Sequence, residues 1–157
     1  MLMMLEELRK QIMVCDKCKD YFKPDPWLFS SECDECDVKG FLGEGHTKYG
    51  KVMFIAYRPS THKPNKSEIS KKRIELFYRL LRKFEFTNAH LTDLTKCRRS
   101  GKLISRAEIK NCLPYLKGEI EIVKPDFLVA VGLDTYHILP FVLELLNLDF
   151  PEKGYSK

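Results

Sequence analysis

The residues of this chain best suited to chemistry are its six cysteines, four of which fall in CxxC pairs. "CDKC" supplies Cys15 and Cys18, and "CDEC" supplies Cys33 and Cys36 after fourteen intervening residues. A CxxC turn presents two thiolates to one side of an ion, so two such turns at this distance suit tetrahedral zinc. A second quartet joins Cys15 and Cys18 to the distant Cys97 and Cys112. Cys97 ends a β-like segment and Cys112 sits in the first turns of the following helix, so both can point at the same end of a sheet. Four thiolates from a folded scaffold are the usual holder of a 4Fe–4S cluster. Spacing alone favours the zinc set, and the residue types leave both sets open.

The next group is basic. Lys96 precedes Cys97, while Arg98, Arg99, Lys102 and Arg106 crowd the segment between Cys97 and Cys112, and Arg58 and Lys63 follow an apolar run. In an α/β protein both segments fall at the carboxyl edge of the sheet, where ligands bind. Contact with phosphate groups is the expected role, with Arg58, Arg98, Arg99 and Lys102 as the leading candidates. The "KKR" at 71–73 reads as a solvated helix face. His46, His62, His90 and His137 read as ordinary surface histidines.

These groups need a scaffold, and the chain is long enough to build one. Its 157 residues support one domain with a real core, 1–157, and the net charge of +5 permits an anionic partner without requiring one. "FLVAVGL" and "ILPFVLELLNL" are too short to span a bilayer. The opening "MLMMLEELRKQIMV" carries early glutamates and no basic n-region, so no secretory signal and no membrane partner is expected. The expected location is the cytoplasm, where cysteines serve as metal ligands more often than as disulfides.

Leu5, Leu8 and Ile12 mark the apolar face of a first helix. "KVMFIAY", "NAHLTDLTKC" and "FLVAVG" read as buried strands, and "SEISKKRIELFYRLLRKFEF" as a helix with Ile69, Ile74, Phe77, Leu80, Leu81 and Phe84 inward. Ser105 with Glu108 forms a capping box before a stripe of Ile109, Cys112, Leu113, Leu116 and Ile120. Pro114 predicts a kink in that helix, and "KPD" its end. A last helix spans 134–147. The alternation of helix and strand predicts an α/β sandwich on a parallel sheet. Residues 19–42 lack any period and read as a cysteine-containing loop insertion.

The stretch "LTDLTKCRRSGKLISRAEIKNCLPYLKGEIEIVKPDFLVAVG" strongly resembles the iron–sulfur (family 4) uracil-DNA glycosylases. In that family a "TNVVKCRPP" segment leads to a "C-x-PYL" helix, then "RP" and a "VxLG" strand. "VCDKC" and "GEGHTKYGKVMFIAYRP" are similar to its paired cysteines, its "GEG" turn and its first strand. The likeness runs from about residue 14 to 140. It implies a three-layer α/β/α sandwich around a mainly parallel sheet. It also implies a structural 4Fe–4S cluster on Cys15, Cys18, Cys97 and Cys112, leaving zinc on Cys15, Cys18, Cys33 and Cys36 as the alternative. The implied partner is DNA, single-stranded or with a damaged base, met by a monomer. The implied reaction extrudes a damaged or deaminated base and hydrolyses its N-glycosidic bond.

Departures from the family pattern fall at the chemistry. Where the family's "GEAPG" carries its acidic residue, this chain reads "AYRPS", with Tyr57 in place of Glu and Ser60 in place of Gly. Asp93 stands where the family has the asparagine that reads uracil, and an ionised carboxylate accepts hydrogen bonds but donates none. The family's "HPS" segment does not occur. Tyr57 and Asp93 are the candidate catalytic positions. Three readings follow: a DNA glycosylase, a non-catalytic nucleic-acid-binding member of the same superfamily, and a zinc-ribbon interaction module.

Overall fold

The computed structural model describes residues 2–18, 43–58, 68–97 and 103–148. The elements run α1 (Leu2–Met13), β1 (His46–Thr47), β2 (Gly50–Ala56), α2 (Glu68–Lys83), β3 (His90–Asp93), α3 (Arg106–Val123), β4 (Phe127–Ala130) and α4 (Leu133–Leu145). β2 is the central strand, parallel to β3 on one side and to β4 on the other. Its register sets Ala56 against Asp93 and Ile55 against Ala130, so the three strands end together at one carboxyl edge.

β1 was not expected from the sequence. It is two residues that fold back antiparallel on the start of β2, too short for any periodic signal. Asp126 ties the other end of the sheet, its Oδ2 accepting from the Lys51 N–H at 2.8 Å while its own N–H donates to the Lys51 carbonyl.

Alternation along the strands divides the core. Met53 and Ile55 face one side with Ile109, Leu116 and Ile120 of α3 and Leu139 and Val142 of α4. Leu91 faces the other with Tyr78 and Leu81 of α2, and Phe54 and Phe77, edge-on to each other, pack against this cluster. The result is helices on both faces of a mainly parallel sheet. On α2 the inward positions differ from the sequence expectation. Tyr78 is fully buried while Leu80 and Phe84 are about half exposed. The side chains of Ile69 and Ile74 lie outside the described residues.

α1 packs on α3 through Leu5, Leu8 and Ile12, all buried as the spacing predicts. The approach is closest at Gly118, where an added Cβ would stand 3.2 Å from a Leu8 methyl. α3 begins at the expected capping box, with Ser105 Oγ accepting from the Glu108 N–H at 3.2 Å and Glu108 accepting from the Ser105 N–H at 2.6 Å. It runs on through Pro114 and ends where Lys124 turns left-handed at φ 51°.

Candidate thiol site and sheet edge

Four cysteines from three parts of the chain come together beyond β3. Cys15 and Cys18 follow α1, Cys97 lies four residues past Asp93, and Cys112 sits on the inner face of α3. None of the four is in a disulfide, and Cys97 and Cys112 are buried. Burial pushes the Cys97 thiol up to about 12, and Cys112, Cys18 and Cys15 add to the rise, as does Glu108. Cys112 is raised as well. Burial is the main cause, countered by the backbone N–H and charge of Lys96 and reinforced by Cys18 and Cys15.

Mutual repulsion of this kind means the four groups cannot all be thiolates unless a cationic centre stands among them. Among the described residues, no three His, Cys, Asp or Glu side chains converge as ligands of one metal ion. A cubane cluster takes one thiolate at each of four separate irons, so its ligands stand farther apart than those around a single zinc. Four thiols are the donor type that such a cluster takes. Cys33 and Cys36, the other half of the zinc set, lie outside the described residues.

Polar groups hold the thiol-bearing segments in place. Asn111 Nδ2 donates to Cys18 Sγ at 3.2 Å and to the Lys17 carbonyl at 3.4 Å. Lys17 Nζ lies 5.0 Å from the centre of the Tyr115 ring. Tyr115 hydrogen-bonds Cys15, and burial followed by that bond raises its phenol, which stays protonated. Asn111 and Tyr115 are four residues apart on α3, so one helix face receives the whole "CDKC" turn.

Beside this site runs a buried ionic network that the sequence reading missed. Lys96 is 1% exposed and spends its three ammonium protons on Glu119 Oε2, Thr92 Oγ1 and the Asp93 carbonyl, each at 2.6 Å. Glu119 is 0% exposed and also takes the Thr92 hydroxyl at 2.5 Å and His90 Nε2 at 3.0 Å. Burial opposes its ionisation, but Lys96 and then His90 outweigh that and lower the carboxyl to about 2. Two expectations are corrected. Lys96 is no phosphate contact, because its charge is committed to Glu119. His90 is no surface residue, because alternation along β3 turns it with Thr92 toward α3. The one available signal was the place of Glu119, seven residues past Cys112 on the same face of α3.

At the carboxyl edge, Tyr57 accepts the Ile104 N–H at 2.6 Å through its hydroxyl oxygen, and the Arg58 guanidinium lies 5.5 Å from its ring centre. The Arg58 side chain is 10% exposed, with Nη1 3.5 Å from Glu108 Oε1. The pairing holds the guanidinium against the start of α3 at the sheet edge. Nε and Nη2 meet no hydrogen-bond acceptor among the described residues. Asp93 is buried at the end of β3, level with Ala56. His46 and His137 are exposed. Arg98, Arg99, Lys102, Ser60, Lys63 and His62 lie outside the described residues.

A sequence model of the Uracil DNA glycosylase superfamily matches residues 42–152. The chain belongs to that superfamily. It is 24% identical over 133 residues to the type-4 uracil-DNA glycosylase of Sulfurisphaera tokodaii, covering 82% of this chain and 54% of that protein. With the type-4 uracil-DNA glycosylase of Pyrobaculum aerophilum the identity is 30% over 113 residues, 64% of this chain and 56% of that protein. The chain thus spans about half the length of the curated relatives it matches. No helix among the described residues is long and apolar enough to cross a membrane.

Proposed function

We propose that this protein acts in DNA base excision, with a structural 4Fe–4S cluster held by Cys15, Cys18, Cys97 and Cys112. The observation that carries the cluster is the meeting of four unpaired thiols from three segments, each of the two buried ones perturbed by the others. Membership in the superfamily supports DNA as the partner. When bound, the cluster supplies a rigid, charge-compensating cross-link between the "CDKC" turn, the end of β3 and α3.

The chemistry belongs to the sheet edge. Hydrolysis forms a bond from water oxygen to the sugar carbon as the bond to the base nitrogen breaks. The electron pair leaves with the base, which is then protonated. Asp93 offers an acceptor to an exocyclic amine or ring N–H of a damaged or deaminated base, or to the attacking water. Tyr57, its oxygen anchored by Ile104, offers an aromatic surface to an extruded base. Arg58 keeps Nε and Nη2 for an incoming oxygen acceptor. Arg98, Arg99 and Lys102 meet the phosphates.

One observation favours the second reading, a nucleic-acid-binding member without catalysis. The position of the family's acidic residue carries a phenol tied to a backbone N–H, which cannot orient water as a carboxylate does. Anaerobic purification with iron and acid-labile sulfide assays tests the cluster. Incubation with uracil- and other base-modified oligonucleotides, followed by cleavage at abasic sites, tests the excision. Iron-free protein removes the cluster, and iron-loaded protein that binds DNA but leaves every base in place favours the second reading.

A further inference from the structure

Three sulfurs of the thiol site each receive a proton donor from the protein itself. Asn111 Nδ2 reaches Cys18 Sγ at 3.2 Å, the Tyr115 hydroxyl reaches Cys15, and the Lys96 N–H reaches Cys112. The first two are side chains on one face of α3, and neither is used by the base chemistry. Both also grip the loop itself, Asn111 through the Lys17 carbonyl and Tyr115 through the Lys17 ammonium over its ring. A hydrogen bond to a ligand sulfur withdraws electron density from it. It stabilises the more negative, reduced state of an iron–sulfur centre more than the oxidised state.

We propose that Asn111 and Tyr115 are positioning residues for the cluster, donating to the Cys18 and Cys15 sulfurs so as to raise its reduction potential and hold the "CDKC" turn against α3. The inference rests on the cluster reading above. It separates two roles that either residue would otherwise share with any packed side chain. Shape alone can dock the loop, but only the N–H and O–H can move the potential.

The test is a redox titration of anaerobically purified full-length protein, wild type beside Tyr115→Phe, Asn111→Leu, Asn111→Gln and the Phe–Leu double variant. Tyr115→Phe keeps the ring under Lys17 and removes only the hydroxyl, so it should fold. Losing one donor should lower the reduced-to-oxidised ratio at a fixed potential by about three- to tenfold, the tenfold limit being 59 mV for one electron. The double variant should show both shifts together, and Asn111→Gln should recover part of one. Air bleaching should quicken in the same order. Unchanged potentials in Tyr115→Phe and Asn111→Leu, with full iron and sulfide, overturn the inference and leave the cluster standing. Absence of iron and sulfide in the wild type overturns both, and the metal assay tells the two failures apart.

Discussion

Replacing Lys96 by Met should be among the most damaging single changes outside the cysteines. Lys96 and Glu119 are 1% and 0% exposed and meet at 2.6 Å, with Thr92, the Asp93 carbonyl and His90 completing the shell. Methionine fills most of the volume but strands the Glu119 carboxylate in the core. Breaking a buried pair from one side costs about 3–5 kcal/mol. For a chain of this size that lowers the melting temperature by roughly 6–20 °C. The pH dependence gives a second handle. The Glu119 carboxyl is held at about 2 against an ordinary 4.5, because Lys96 and His90 outweigh the burial that opposes its charge. That depression stabilises the fold on the order of 3 kcal/mol, fully present above pH 4.5 and lost as the pH falls through 2. In Lys96→Met the main counter-charge is gone and the carboxyl climbs, so the penalty should shrink on acidification. Adding Glu119→Gln keeps the bonds to Thr92 and His90 and removes the stranded charge, so the double variant should be more stable than the sum of its singles. Urea unfolding followed by far-UV circular dichroism at neutral and acid pH, with iron content measured alongside, reads all of this. A Lys96→Met variant within 1 kcal/mol of wild type, or singles that simply add, would refute the reasoning.

Cys97→Ala or Cys112→Ala should bleach the brown, broadly absorbing protein and destabilise it, whereas Cys33→Ala should leave the colour. Colourless wild-type protein with one zinc, unaffected by Cys97→Ala, would instead place the metal on the two CxxC pairs. DNA binding should fall steeply with salt, and Arg98→Ala with Arg99→Ala should flatten the log–log slope by roughly 1–2, at about 0.9 per phosphate, alike for all sequences. Gly118→Val should cost about 1–3 kcal/mol by driving α1 off α3 at Leu8, which thermal unfolding checks. Single-turnover uracil excision should be weak in the wild type and partly regained in Tyr57→Glu with Asp93→Asn, since one such electrostatic group is worth roughly 10²–10³ in rate. Robust excision by the wild type would show that Tyr57 and Asp93 carry the chemistry as they stand.

What could be read from the sequence was whatever has a period or a cap. Leu5, Leu8 and Ile12 declared the buried face of α1, and Ser105 with Glu108 declared the start of α3. Three apolar runs declared the strands, though β3 proper is only His90–Asp93. α2 was read at the right place with Phe77 and Leu81 inward, but its apolar residues are too many for one stripe, and Tyr78 rather than Leu80 or Phe84 takes the remaining inner position. The buried charges escaped for a different reason. A lysine, a histidine and a glutamate each look like surface when read singly, and their burial makes sense only as a set. Arg58 is the same case, since its partner Glu108 already had a duty in the capping box. The cysteines divide the same way. Spacing along the chain favours the two near CxxC pairs, while the fold brings Cys97 and Cys112 within electrostatic reach of Cys15 and Cys18.

α3 is where these separate features meet, and its order explains the arrangement. Its first turn holds Glu108, which closes the cap and pairs Arg58 at the sheet edge. The second and third carry Asn111, Cys112 and Tyr115, which face the "CDKC" turn. Two turns beyond Cys112, Glu119 anchors Lys96, whose own backbone N–H returns to Cys112 and whose neighbour is Cys97. Along the sequence, Arg98, Arg99 and Lys102 fall between Cys97 and Ile104, whose N–H is held by Tyr57, and Cys112 follows on α3. A cluster that joined Cys97 to Cys112 would cross-link the chain on both sides of these basic residues, and such a cross-link lowers the entropy cost of presenting them to DNA. Loss of the cluster should therefore weaken DNA binding without touching any residue that contacts phosphate. Affinity of the iron-depleted protein, compared at matched salt with the loaded form, measures that linkage. An unchanged affinity in protein that is still folded would separate the thiol site from the DNA edge.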